Sequence, residues 1–217
     1  MRWFLTAGVL AANTAFVGLG VAFGYPDVLA EPPAEILARF AADQATISAW
    51  FLLLALGAGA LIPAAVLLGR RLPPSAAATL SVHAGVLAGL VQVLGLLRWP
   101  FAVPGLAHAG QPEVAETVFS ALHGYLGTGI GETLGYLFTA AWTVLLLVAL
   151  PGSPRWFGVL GMGSALAIAA GVFVPLGLPG ADLANFAGYV AWSGWALCLA
   201  FLPARTTGLT AGVPSLT

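Results

Sequence analysis

Lysine is absent from the chain, cysteine occurs once, and charge of either sign is scarce. Seven basic and eight acidic side chains, 7% of the residues, are spread over 217 positions. A soluble domain carries about a quarter charged residues, so this chain cannot build a water-exposed surface over a core. A net charge of −1 offers no basic patch of the kind nucleic-acid binding requires. The single cysteine, Cys198, excludes an intrachain disulfide and a cysteine metal cluster. It sits in an apolar run, where thiols act as inert packing residues. There is also no Walker loop, no Gly-x-Ser-x-Gly elbow, no His-Glu-x-x-His pair and no arginine-rich voltage-sensor helix. Internal repeats, heptads and low-complexity tracts are missing too.

What the chain has in quantity is apolar side chains, 60% of the residues, with a mean hydropathy of +0.98. A bilayer-spanning helix needs about 20 mainly apolar residues. Six stretches qualify: 3–24, 45–68, 76–97, 122–150, 156–178 and 184–203. Proline, glycine and charge separate them, as in Tyr25-Pro26-Asp27, Arg70-Arg71-Leu72-Pro73-Pro74 and Pro151-Gly152-Ser153-Pro154-Arg155. The expected fold is therefore all-α: one polytopic transmembrane domain over 1–205, with a short polar tail over 206–217. The first span is expected to stay uncleaved, because its apolar run is too long for a signal peptide and no clear small-x-small site follows.

Arginine placement orients the bundle. Arg2, Arg70, Arg71, Arg155 and Arg205 fall on one side, Arg39 and Arg98 on the other. Both termini are then expected in the cytoplasm. The alanine, glycine and arginine bias fits a bacterial chain, so the expected location is the bacterial inner membrane. Two long outer loops remain, 25–44 and 98–121. Each is expected to carry a short helix, after Pro32-Pro33 and from Pro112, and to form an entrance or lid. Trp99 and Phe101 suit the headgroup region, Asp182 a solvated loop.

Glu132 is the one acidic residue inside a span, and a carboxylate in hydrocarbon faces the protein interior or a wet cavity. Around it runs His123-Gly124-Tyr125-Leu126-Gly127-Thr128-Gly129-Ile130-Gly131-Glu132-Thr133-Leu134-Gly135-Tyr136. At i, i+4 spacing, Gly127, Gly131 and Gly135 form a smooth strip for close helix packing. Thr128, Glu132, Tyr136, Thr139 and Thr143 form a polar strip beside it. The bland alternative is a protonated carboxyl that hydrogen-bonds a neighbouring helix. Arg98 ends the third span, either snorkelling to headgroups or acting as an anion clamp or partner for Glu132.

At about 1.5 Å per residue, Glu132 lies about 13 Å and Gln92 about 9 Å below the outer edge. Asn13, Tyr189 and Ser193 fall in the same outer half. His83 falls about 22 Å down, which separates it from His123 at the edge and excludes a bis-histidine haem. His83 reads as a hydrogen-bonded packing residue. His108, Glu113, Glu116 and His123 match no metal-ligand spacing. No cofactor and no metal is expected. The candidate ligand-binding or translocation residues are Glu132, Arg98, Gln92, Tyr136, His123 and Asn13.

The segments Leu94-Gly95-Leu96-Leu97-Arg98-Trp99-Pro100-Phe101-Ala102-Val103-Pro104, Tyr125-Leu126-Gly127 and Gly131-Glu132-Thr133-Leu134-Gly135-Tyr136 together resemble an uncharacterised family of small bacterial six-helix membrane proteins. That resemblance implies the architecture and no activity. The residues themselves favour a protein that binds or translocates a small molecule, lipid or proton through an outward-facing pocket around Glu132. Two alternatives stand beside it. One is an embedded enzyme on a lipid or quinone-like substrate, with Glu132 as acid/base and Tyr136 or His123 assisting. The other is an assembly subunit docking a partner through its glycine stripes. The partners expected are the bilayer and a small hydrophobic or lipid ligand, with homo-oligomerisation open and nucleic acid excluded.

Overall fold

The computed structural model describes residues 1–150 and 152–202. The expected tail, 206–217, and Arg205 lie outside them. Prolines and one hydroxyl set where helices begin. Ser75 caps α5 (Ala76–Phe101), its hydroxyl accepting from the Ala78 amide at 3.1 Å. Pro33 opens α2 (Pro33–Ala42) and Pro112 opens α7 (Pro112–Leu122) at positions where a missing N–H costs nothing. Pro63 breaks the second span: it cannot donate to residue 59, so α3 (Gln44–Gly59) gives way to α4 (Leu61–Gly69). The remaining elements are α1 (Arg2–Phe23), a 3-10 turn at Asp27–Ala30, α6 (Val103–Ala107), a π-helical stretch at His123–Leu134, α8 (Gly135–Ala149), α9 (Arg155–Ala170), a 3-10 turn at Gly171–Leu176 and α10 (Ala181–Phe201).

Six of the helical runs are long and apolar enough to cross a membrane: Arg2–Phe23, Gln44–Gly69, Ala76–Ala107, Pro112–Ala149, Arg155–Leu176 and Ala181–Phe201. The protein is a polytopic all-α membrane bundle. The third and fourth runs are longer than expected. Pro100 does not end α5, and the helix from Pro112 runs on without a break into the π-helical stretch. His123 therefore stands eleven residues inside its helix rather than at its start.

Helices adjacent in sequence are adjacent in space, and α10 closes back on α1, so the six spans form a ring. Between helices in lipid, dispersion and close approach replace the hydrophobic drive, and small residues sit at the seams. Gly8 of α1 faces Gly57 of α3, and Gly188 of α10 faces Ala167 of α9. Two apolar clusters occupy the ring. One, at the end carrying Met1, is built on Trp142, Phe157 and Trp195. The other, at the opposite end, is built on Phe23, Phe40, Phe51, Trp99 and Phe119. Over that second end α2, α6 and α7 pack on one another and form a cap.

Several expectations are corrected. Trp99 is not a headgroup anchor: it is 0% exposed and stacks on Phe51 at 4.7 Å, while Phe101 alone remains outward at 74%. The reason is that α5 continues past Trp99 and turns it under the cap. His83 does not pack inside; it lies on the exposed face of α5 with Leu80 and Leu87. Asp182 lies in the first turn of α10 rather than in a loop, where its charge suits the helix N-terminus, and it is exposed.

Candidate functional site

Between the two apolar clusters the spans carry a polar band. Along α5 it holds Gln92 and Arg98, along the fourth span His123, Glu132, Tyr136 and Thr139, and along α10 Asn185 and Tyr189. The geometry that assembles it starts with glycine. Gly127, Gly131 and Gly135 all face α5, against Arg98, Gly95 and Gln92 respectively. The closest approach is Gly95 to Gly131: a methyl on Gly95 would stand 2.6 Å from the Gly131 Cα and 2.9 Å from the Leu126 carbonyl. The expected glycine strip is therefore taken up by the chain's own helix and presents no free surface to a partner through these residues.

The π-helical stretch covers Glu132 and ends just before Tyr136. Its i→i+5 bonding widens the turns, and such stretches concentrate at functional sites. The glycine strip expected at i, i+4 spacing persists along it, whereas the polar strip divides. Thr139 and Thr143 are buried and engaged elsewhere. Thr139 accepts from the Gln92 amide at 3.2 Å, and Thr143 accepts from the Trp192 indole at 2.9 Å while donating to the Thr139 carbonyl at 2.9 Å. Glu132 and Tyr136 remain half-buried.

Arg98 is 6% exposed and does not snorkel. Its guanidinium lies across Gly127, where a Cβ would meet it at 2.7–3.2 Å. One terminal nitrogen donates to the Gly95 carbonyl, and the other approaches His123 Nδ1 at 3.3 Å. The Trp99 ring lies 5.2 Å away. The Nε has no partner among the described residues. Arg98 and Glu132 act on one another electrostatically, yet they form no ion pair: among the described residues only Arg39 and Glu31 do, at 4.0 Å.

Three tyrosines complete the cluster. Tyr136 and Tyr189 meet edge to face at 5.9 Å. Tyr25 arrives from outside the spans. Gly24, with φ 72°, closes α1 in a left-handed turn, the Tyr25 amide donates back to the Leu19 carbonyl at 3.3 Å, and the ring lodges edge-on to Phe16 at 5.6 Å and Phe51 at 5.5 Å. Burial pushes the Tyr25 hydroxyl up to about 12; the Glu132 carboxylate adds to the rise and the Arg98 guanidinium opposes it. Glu132 also acts on Tyr136 and Tyr189.

Of the residues singled out from the sequence, Arg98, His123, Glu132 and Tyr136 come together, with Gln92 one helical layer away. Asn13 lies apart, on the exposed α1–α10 seam, its amide donating to the Val9 carbonyl at 2.8 Å and the Ser193 hydroxyl at 3.1 Å. Sequence reasoning missed Tyr25 as a site residue, since Tyr25-Pro26 reads as loop punctuation. The available signal was an aromatic residue directly after a helix-closing glycine. It also missed Asn185, buried and donating to the Ile168 carbonyl at 2.7 Å. His108 is exposed and bonded to Gln44 Oε1 at 2.9 Å. Among the described residues no three of His, Cys, Asp and Glu gather as metal ligands.

Residues 5–199 match the family described as Domain of unknown function (DUF4386). The chain belongs to this family. The match reaches into all six spans and takes in the glycine seam and every residue of the polar band, so the DUF4386 domain extends around the ring. No curated protein and no solved structure matches the chain.

Proposed function

We propose that this protein binds or translocates a small molecule, lipid or proton at the polar band, with Glu132 as the central group. One observation carries the reading. A carboxyl and a guanidinium within one another's electrostatic reach sit inside the membrane-spanning helices, not paired with each other, and the guanidinium keeps a buried N–H without a partner among the described residues. Such groups are costly in a bilayer and persist where they serve a ligand or an ion. The aromatic cluster at the cap end covers the band on the α1, α3, α5 and α7 side. The expected outward-facing access therefore lies toward α10 and the 3-10 turn Gly171–Leu176, which the cap helices do not cover.

The chain is proposed to lie in the bacterial inner membrane with both termini in the cytoplasm. Arg2, Arg70, Arg71 and Arg155 gather at the end opposite the cap, whereas Asp27, Glu31, Glu35, Asp43, Glu113 and Glu116 gather at the cap end.

The test is Glu132→Gln, which keeps shape and removes the ionisable proton. Native mass spectrometry of the purified chain over a range of pH is expected to find a small molecule or lipid retained by the wild type, and the variant to lose either that species or the pH dependence of its retention, with thermal unfolding in detergent unchanged. A variant that folds normally and retains the same bound species with the wild-type pH dependence sinks the reading. Turnover lost with binding retained moves Glu132 into an acid/base role instead.

A further inference from the structure

We infer that the polar band takes up a monoanionic group and a proton together, Arg98 holding the anion and Glu132 the proton. This rests on the proposed binding role of the band and names the chemistry of its ligand.

A guanidinium has five N–H donors. In Arg98 the Gly95 carbonyl and His123 Nδ1 engage one on each terminal nitrogen, and Nε is buried with no partner. A buried cation is stable only when paired and hydrogen-bonded, and planar N–H pairs match a carboxylate or phosphate face. The acceptor that α5 lacks is not Glu132, which forms no ion pair with Arg98 but lies within its electrostatic field.

The charge count then links the two. With Glu132 ionised, the band is neutral and an arriving anion makes it negative. With Glu132 protonated, the band holds one positive charge, and the anion brings it to neutrality. In a medium where unit charges interact strongly, the second combination wins. Linkage is reciprocal, so the anion raises proton affinity at Glu132 and the proton raises anion affinity at Arg98.

The groups facing Glu132 bear on this from each side. Arg98 comes from α5, Tyr136 from its own helix, Tyr25 from the segment after α1, and Tyr189 from α10, while His123 faces Arg98. The 3-10 turn Gly171–Leu176 brings no titratable side chain. Glu113 and Glu116 of α7 stand two turns or more toward the cap. His123 is the ionisable side chain beside Arg98 that the test must separate from Glu132.

The experiment uses the full chain in phosphatidylcholine nanodiscs. The probes are benzoate, a soluble carboxylate; oleate, a bilayer-borne one; and benzamide, the neutral shape-match of benzoate. Binding is read by tryptophan fluorescence, since Trp99 lies under Arg98, and Glu132 protonation by its infrared carboxyl band. At least one carboxylate is expected to bind and benzamide not to. Affinity is expected to fall about tenfold per pH unit above the titration of Glu132, as one linked proton requires. Saturation is expected to raise the protonated-carboxyl band. Glu132→Gln is expected to bind without the pH slope, His123→Asn to keep the slope, and Arg98→Gln to lose binding while its carboxyl band ignores the probe.

Benzoate selectivity over oleate identifies a soluble ligand, and the reverse a lipid. The inference is overturned if neither carboxylate binds, if wild-type binding is independent of pH, or if the slope follows His123 rather than Glu132. Equal binding of benzamide and benzoate, unaffected by Arg98→Gln but lost in Glu132→Gln, overturns the anion assignment and leaves the proposed binding role standing. Retention of every bound species by Glu132→Gln with the wild-type pH dependence overturns both.

Discussion

Arg98 and Tyr25 show how much a single side chain depends on where its neighbours leave room. The guanidinium reaches inward because residue 127 has no side chain. Gly127→Ala places a methyl against the far end of a long side chain, which can shift, so the fold is expected to survive. Unfolding in detergent should change little, while the indole of Trp99 should report a displaced guanidinium by a change in fluorescence. Tyr25 carries a pH prediction. Its hydroxyl is raised from the ordinary 10.0 to about 12, so between those values the folded chain holds a proton that the unfolded chain has lost. Stability due to this residue is complete below pH 10 and falls as pH rises toward 12. Tyr25→Phe is expected to flatten that alkaline decline, as measured by thermal unfolding at a series of pH values. Arg98 and Glu132 stood out from the sequence because charge inside an apolar run is rare. Tyr25 did not, because its position is set by a left-handed turn at Gly24 and by the rings of Phe16 and Phe51, and neither is visible in local composition.

At the level of elements, the seam between α5 and the fourth span is the most constrained contact in the ring. Gly95 and Gly131 bring two backbones together, and the obstructing atoms are main chain, which cannot rotate away. Gly95→Val is therefore expected to destabilise the chain by about 1–3 kcal/mol, the usual cost of overpacking, measured as a loss of resistance to denaturing detergent. Gly105→Val on the cap, where nothing lies within 4 Å of an added Cβ, is the control and should leave stability unaltered. The glycine spacing was legible in the sequence, and so was the conclusion that a helix packs there. The π-helical bonding was not, because an i→i+5 backbone register leaves no mark in local composition.

For the whole molecule, the decisive feature is the ring with its band between two apolar clusters. Its orientation is testable with Cys198 first replaced by alanine. A cysteine introduced at Glu113 in the cap is expected to react with a membrane-impermeant maleimide in intact cells, and one at Ser153, on the opposite face, only after permeabilisation. Reversed labelling would place the cap in the cytoplasm. Ring closure brings Tyr25 from the end of the first span and Tyr189 from the sixth to Glu132. Asn13 shows the opposite case, since equal depth along a helix says nothing about which way a side chain faces.

The sequence by itself determined membrane class, span number and the place of the rare charges. Each follows from a local energetic rule: a backbone in hydrocarbon must be helical, about 20 apolar residues cross it, and an ionisable group inside it is exceptional. Only the tertiary structure decided which of those charges and hydroxyls act on one another. It drew Arg98 inward to Glu132 without pairing them, buried Trp99 and turned His83 outward. Those outcomes rest on helix rotation and crossing, which are set by glycine contacts between distant parts of the chain.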